Sequence, residues 1–341
     1  MVTDRLSARE QQVLEALVRA YVALEAPVGS KVLLQREALD CSPATIRKAL
    51  GTLEEKGFVH QPHTSAGRLP TTRGYRLYVE DSLDTAGGSS AEEMAALRHR
   101  VEDKLRQVDA DEIHGQLAEI LGDVSNQLGL VLAPSFEQGV FQRLELVRLA
   151  ECRLLLVATL SRGPVRSLVI EVGSSVSHGD LAAVAQLLNE RLGGLSMSDI
   201  GATVRERVRS ATVGNPQLLR VVVEEIESLT ARTGEELHVA GARNICVQPE
   251  FRDSLDVAGL LELIERKEAL ASLLAERQGM VVTIGEENGV QEMRLCSMVT
   301  ASYDVAGAVG VIGVIGPTRM PYDRVVSLVN YAASRAAELE S

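Results

Sequence analysis

An α+β, multidomain fold is predicted for this chain, and three observations carry the prediction. At 341 residues it is longer than one simple hydrophobic core accommodates. Helical and strand periodicities come in blocks instead of alternating regularly along the chain. Charge is divided as well. The chain carries −12 overall, whereas residues 1–80 hold 11 Lys/Arg against 9 Asp/Glu, a net of +2, which leaves −14 on the remainder. A small neutral-to-basic head on an acidic body is the pattern of a nucleic-acid-binding module joined to a regulatory body. Hydrophobic residues at 45 % and charged residues at 24 % are ordinary for a globular protein, and aromatics at 3 % with no Trp make the cores aliphatic.

The first helix is marked by Leu6, Val13, Leu14, Leu17, Val18 and Tyr21, with Ser7 and Glu10 spaced as a capping box. Pro27 and Gly29 end it. Ser30 is placed to cap a second helix through Val32, Leu33 and Leu34 to about Leu39. Ser42-Pro43 is an N-cap followed by proline at the first helical position, and Ile46, Leu50 and Leu53 line one face of the third helix up to Gly57. Phe58–Gln61 and Leu69–Thr72 read as two strands around a polar loop from His63 to Arg68. Three helices and a hairpin in that order predict an N-terminal winged helix-turn-helix.

A helix from Tyr75 to about Leu83 follows, and Asp84–Ser90 reads as a hinge. Two amphipathic helices come next, one through Met94, Leu97, Val101, Leu105 and Val108, the other through Ile113, Leu117, Ile120, Leu121, Val124 and Leu128. Strands are predicted at Val140–Leu149, Arg153–Leu160 and Val165–Val172, with a helix from Gly179 to Leu192. Strands return at Met280–Ile284, Met293–Ala301 and Ala308–Ile315, before a last helix from Tyr322 to Leu339. Residues 194–278 between them are mainly helical, apart from an isolated strand at Leu237. The simplest reading is one α/β domain, interrupted by an inserted helical subdomain.

Base recognition belongs on the third helix. Its inward face is apolar, so Ser42, Ala44, Thr45, Arg47 and Lys48 are left outward near its start. Arg47 or Lys48 can pair with guanine edges, Thr45 can reach a base or a phosphate, and the helix N-terminus attracts a phosphate. In the wing, Thr64 and Ser65 offer hydroxyls, Gly67 allows a tight turn, and Arg68 and Arg73 can contact phosphate or the minor groove. His63 can contact phosphate or cap its own turn. Tyr75 and Tyr78 are expected to pack on the first helix.

Enzyme chemistry finds no support. The six histidines have no metal-ligand spacing, and Ser161 and Ser174 lack a nucleophile elbow. Gly307, Gly310, Gly313 and Gly316 recur every third residue beside a strand, which suits close backbone packing and not a dinucleotide loop. No cofactor and no metal are expected. Cys41, Cys152, Cys246 and Cys296 are widely spaced and read as reduced core thiols of a cytoplasmic protein. Neither a signal peptide nor a membrane span is expected.

Ser42-Pro-Ala-Thr-Ile-Arg47, Leu53-Glu-Glu-Lys-Gly-Phe58, Pro62-His-Thr-Ser-Ala-Gly-Arg-Leu-Pro70 and Gly74-Tyr-Arg76 closely resemble the HrcA family of heat-inducible transcription repressors. Pro27-Val-Gly-Ser30, Gln248-Pro-Glu-Phe251 and the run from Gly310 to Met320 fit the same family, so the resemblance spans nearly the whole chain. It implies a heat-shock, stress-response repressor of chaperone operons that binds a CIRCE-type inverted-repeat operator in double-stranded DNA as a homodimer. It also implies that heat releases the DNA and that the chaperonin maintains the active form. The body it implies is a GAF-like α/β domain interrupted by a dimerising insert. On that reading the divisions are 1–83 for the winged helix-turn-helix, 84–112 for hinge and connecting helix, 113–193 and 279–341 for the GAF-like domain, and 194–278 for the dimerisation subdomain. Leu218, Leu219, Val222, Ile226 and Leu229 form a helix face that either pairs between subunits or packs inside its own subdomain.

One departure stands out: after Thr-Ile-Arg the family usually carries Asn and then an acid, where this chain has Lys48 and Ala49. It leaves the operator's fine sequence open. Two other readings remain: a regulator whose GAF-like domain binds a small metabolite, and an RNA-binding or assembly role. The capped third helix and the wing favour duplex DNA over both.

Overall fold

The computed structural model describes residues 6–37, 39–64, 66–84, 91–106, 112–134, 139–161, 166–173, 175–211, 215–231, 237–251, 254–305 and 308–339. The chain divides into two compact units. The first is Met1–Val131, His238–Ala301 and Ile312–Ser334; the second is Leu132–Leu237, Ser302–Val311 and Arg335–Ser341.

Within the first unit, α1 (Ala8–Leu24) opens with a reciprocal cap. The Ser7 N–H donates to Glu10 Oε2 at 2.8 Å and the Glu10 N–H to Ser7 Oγ at 3.3 Å. The helix ends where Glu25 turns left-handed at φ 56°. Gly29, not Ser30, holds the N-cap position of α2 (Ser30–Arg36), which stops short of the expected Leu39. Ser42 Oγ accepts the Thr45 N–H at 3.1 Å to start α3 (Pro43–Glu55). Ile46, Ala49, Leu50 and Leu53 of α3 are buried, as are Val13, Leu14, Leu17 and Val18 of α1, against which α3 packs. Each such aliphatic side chain removed from water is worth roughly 1.5–3 kcal/mol. β1 (Val59–His60) pairs antiparallel with β2 (Leu69–Pro70), and α4 (Thr72–Asp84) follows.

In the same unit, α5 (Ala91–Leu105) packs on α6 (Ile113–Ser125) through Leu97, Val101 and Leu105. Val108 lies outside the described residues. A five-stranded sheet contains β3 (Leu128–Leu132), β7 (Leu237–Ala240), β8 (Met280–Ile284), β9 (Cys296–Val305) and β10 (Ala308–Pro317), in the order β7-β3-β10-β9-β8. The expected glycine packing is visible at Gly313, where a Cβ would stand 2.4 Å from the Val299 carbonyl oxygen on β9; Gly307 lies outside the described residues. Helices α10 (Ala242–Cys246), α11 (Ser254–Glu265) and α12 (Lys267–Ala275) lie between β7 and β8, and a last helix, α13 (Tyr322–Leu339), matches its expected bounds.

The second unit has its own three-stranded antiparallel sheet, β4 (Phe141–Ala150), β5 (Arg153–Leu160) and β6 (Arg166–Glu171), in that order. Leu144, Leu154, Leu156 and Ile170 share a core with α7 (His178–Leu192), α8 (Met197–Val208) and α9 (Pro216–Ala231). This redraws the expected domains. The first strand block does not join the later strands, so the interruption runs from about Leu132 to Leu237 instead of 194–278. β7 is not isolated either, but completes one edge of the five-stranded sheet beside β3. Strand pairing is non-local, and order along the chain does not dictate it.

Burial favours one of the two alternatives for the α9 face, and the expectation for the cysteines is corrected. Leu218, Leu219, Val222 and Ile226 are buried within the second unit, so their helix face packs in its own subdomain; the Leu229 side chain lies outside the described residues. Of the four cysteines only Cys296 is a core thiol, while Cys41 is half-buried and Cys152 and Cys246 are exposed.

Candidate nucleic-acid interface

The outward face of α3 is built by its helical period. With Ile46, Leu50 and Leu53 fixed inward, Ser42, Ala44, Thr45, Arg47 and Lys48 are all exposed. Ser42 does two jobs. Besides capping the helix, its Oγ lies 2.9 Å from Thr45 Oγ1, so the two hydroxyls bind each other in the free protein. The Arg47 and Lys48 side chains make no hydrogen bond or ion pair with another described residue. Ala49, although adjacent, faces the core and is 6 % exposed.

The wing is held more firmly than its polar sequence suggests. Val28 and Arg68 exchange backbone hydrogen bonds of 3.0 and 2.8 Å, adding a third strand-like residue beside β2. Gln61 Nε2 donates to the carbonyls of Thr64 at 3.0 Å and Ala66 at 2.8 Å, and the Ala66 N–H donates to the His63 carbonyl at 2.8 Å. His63 and Thr64 are left exposed at the tip, while Ser65 lies outside the described residues. Gly67 is required by close approach and not by a tight turn. A Cβ there would stand 2.4 Å from the Val28 carbonyl carbon, and Gly67 is absent from the residues at positive φ.

The two wing arginines are engaged inside the head. Arg68 Nη2 and Nε lie 2.9 and 3.0 Å from Glu54 Oε2, which ties the wing to the end of α3. Arg73 Nη1 donates to the Lys56 carbonyl at 2.7 Å, just past α3, and its guanidinium lies 4.5 Å from the Phe58 ring centroid. Lys56 in turn pairs with Glu10 at 3.0 Å. The Ser7 backbone bond, then the Lys56 ammonium, hold the Glu10 carboxyl below its ordinary range.

Sequence reasoning missed Lys31 and Arg36, both exposed on α2, the helix that precedes α3. Two basic residues at either end of Val32-Leu33-Leu34-Gln35 were the available signal. It also missed Gln61 and Glu54, whose partners are identified only by the fold. Tyr75 and Tyr78 are buried as expected, but Tyr75 also faces the Tyr322 ring at 5.8 Å and Tyr78 OH donates to Asp323 Oδ2 at 2.6 Å. No described helix is long and apolar enough to cross a membrane.

Residues 111–326 match the family model described as the HrcA protein C-terminal domain. Over 330 residues the chain is 37 % identical to the heat-inducible transcription repressor HrcA of Natranaerobius thermophilus, covering 96 % of this chain and 95 % of that one. It is 35 % identical over 340 residues to the same-named repressor of Pelotomaculum thermopropionicum, covering 98 % of this chain and 97 % of the other. Among solved structures, a crystal structure of a hypothetical protein at 2.2 Å resolution superposes with a TM-score of 0.69 at 25 % identity, covering 98 % of both chains.

Proposed function

Because this chain belongs to the HrcA family of heat-inducible transcription repressors, we propose that residues up to about 83 act as a winged helix-turn-helix that binds an inverted-repeat operator of the CIRCE type. Members of this family are repressors and not enzymes. The observation that carries the reading is the α3 face: Arg47 and Lys48 stand exposed and uncommitted on a capped helix beside a braced wing. In this reading Arg47 and Lys48 read base edges, while Ser42, Ala44 and Thr45 approach the backbone at the helix N-terminus. His63, Thr64, Ser65 and the Gly67 backbone approach phosphate or the minor groove, with Arg68 and Arg73 holding the wing in place. Lys31 and Arg36 add phosphate contacts from α2.

Two heads bind two half-sites because the chain works as a homodimer. The five-stranded unit corresponds to the GAF-like domain, and Leu132–Leu237 to the dimerising insert. With the α9 face buried, the outer face of the three-stranded sheet is the surface that pairs. There Val147, Leu155 and Val169 lie in one cross-strand row, and Val147 at 45 %, Val169 at 43 % and Leu149 at 53 % exposure are apolar groups left in water. Heat releases the repressor because a loss of about 1–2 kcal/mol in a marginally stable dimer changes active populations several-fold. The chaperonin restores the active form, a role supported by family membership.

The deciding experiment is a salt-titrated binding assay on duplexes carrying the full inverted repeat, one half-site or a scrambled sequence, with and without chaperonin. Preference for the full repeat over the half-site is the expected result. Equal, weak and strongly salt-dependent binding to all three would overturn operator recognition.

A further inference from the structure

Arg319, in the turn between β10 and α13, is 7 % exposed. Its Nε donates to Glu250 Oε1 at 2.6 Å and its Nη2 to Glu250 Oε2 at 3.3 Å, a two-point grip on one carboxylate. Nη1 donates to the Val22 carbonyl of α1 at 3.1 Å, and Nη2 lies 3.3 Å from Glu25 Oε1 and 3.5 Å from Gln248 Oε1. One guanidinium therefore joins three segments: the last turn of α1, the Gln248–Phe251 stretch, and the glycine-rich run that ends at Met320. Burial alone would lower the pKa of this group, yet the bond and charge of Glu250, then the charge of Glu25, hold it above the ordinary value.

The position on α1 matters physically. Val22 lies in the turn whose carbonyls lack helical partners, and a cation there is favoured by the helix dipole. A planar guanidinium reaches that carbonyl from one nitrogen while two others grip both carboxylate oxygens; a lysine ammonium has three donors on a single nitrogen and lacks that spread. Two further struts fix the same joint. Arg76 on α4 pairs with Glu287 and donates to the Val282 carbonyl at 2.9 Å, and Tyr78 reaches Asp323. None of these groups belongs to the outward face of α3.

We propose that Arg319 is a positioning residue for operator binding: it locks the angle of the head on the five-stranded sheet domain and thereby sets the half-site separation that two heads can span. This rests on the DNA-binding reading above. A rigid linkage concentrates the second head at one separation, whereas a loose one spreads it over many, so the lock acts on spacing and leaves recognition of a single half-site alone.

The test compares full-length wild type, Arg319→Met, Arg319→Lys and Glu25→Gln on inverted repeats whose half-site separation is stepped through one helical turn, about 10 base pairs. Wild type should prefer its best separation over its worst by about tenfold or more, and Arg319→Met should flatten that preference to about twofold with half-site binding unchanged. Arg319→Lys should restore it only in part. Glu25→Gln removes a half-exposed partner on the head alone and should shift the profile in the same direction even if Arg319→Met fails to fold. Without DNA, hydrogen exchange of the last turn of α1 should quicken in Arg319→Met while α3 stays protected.

A wild-type separation profile retained in Arg319→Met and Glu25→Gln would overturn the proposal, as would a parallel loss on the half-site. A wild type indifferent to separation would count against operator recognition itself. The exchange of α1 would then still decide the joint: unchanged exchange refutes it.

Discussion

Gly67 offers a sharp test of the wing, because two explanations for a glycine predict opposite orders of substitution. A glycine kept for a left-handed turn tolerates Asn better than Ala, since Asn visits that region at lower cost. A glycine kept for close approach tolerates neither, and the larger side chain is the worse. At Gly67 a Cβ would overlap the Val28 backbone at 2.4–2.6 Å, so the Val28–Arg68 bridge must open. Two backbone hydrogen bonds at about 0.5–1.5 kcal/mol each, plus displaced packing, put the loss near 2–3 kcal/mol. Native-state hydrogen exchange of the Val28 and Arg68 amides is the assay, because a melt of a two-unit chain averages over events elsewhere. Gly67→Ala should lower their protection by roughly 30- to 150-fold, and Gly67→Asn by at least as much. Gly57, at φ 75° with its nearest non-neighbour atom 4.0 Å away, is the control, where Asn should be milder than Ala. Asn milder than Ala at Gly67 would refute the close-approach explanation.

Other expectations follow from the same geometry. Arg47→Ala should weaken binding to the operator by about 1–3 kcal/mol and leave random-sequence binding nearly unchanged; equal losses on both duplexes would remove Arg47 from base reading. Arg68→Ala frees Glu54 and loosens the wing, so it should speed exchange at Ala66 and Leu69 as well as reduce affinity, and a pure phosphate contact would change only the salt slope. Glu10 is held below its ordinary pKa, so its contribution to stability is full above the unfolded value near 4.3 and is lost as pH falls through the folded one. Glu10→Gln should therefore flatten the acid limb of a stability curve measured from pH 7 to pH 3. Leu155→Lys places a charge in the centre of the apolar row on the three-stranded sheet and should yield monomers in light scattering with the fold intact by circular dichroism; a persisting dimer would move the subunit interface elsewhere.

How far the sequence discloses this molecule depends on whether the signal is local. Ser7 with Glu10, Ser42 with Pro43, and the bounds of β5 and α13 are legible because caps and periodicity act within a few residues. β3 is not predicted, and its first residue, Leu128, reads as the last of the preceding helix. Its five residues are all buried, so a run such as Leu128–Leu132 carries no alternation to separate strand from helix. The insert's true bounds depend on which strands pair, and β3 and β7, next to each other in the sheet, are separated by the whole of it. The interface divides in the same way. Period and burial place Arg47 and Lys48 outward correctly, but charge alone does not disclose that Glu54 already holds Arg68 or that Lys56 holds Arg73.

The departure at Lys48 and Ala49 shows why that distinction matters for specificity. In the sequence both residues sit beside the predicted base-reading face, and both are expected to bear on the operator. In the fold they separate. Ala49 is packed in the core of the head, so its effect passes through the seating of α3 on α1, whereas Lys48 is exposed one position after Arg47 and can reach DNA directly. An asparagine at that place offers a bidentate match to adenine; a lysine offers a flexible point charge suited to guanine or phosphate. If α3 reads bases as proposed, the direct part of any shift in operator preference falls on Lys48 and should run away from adenine at the base it faces, and Lys48→Asn should reverse it in a binding-site selection.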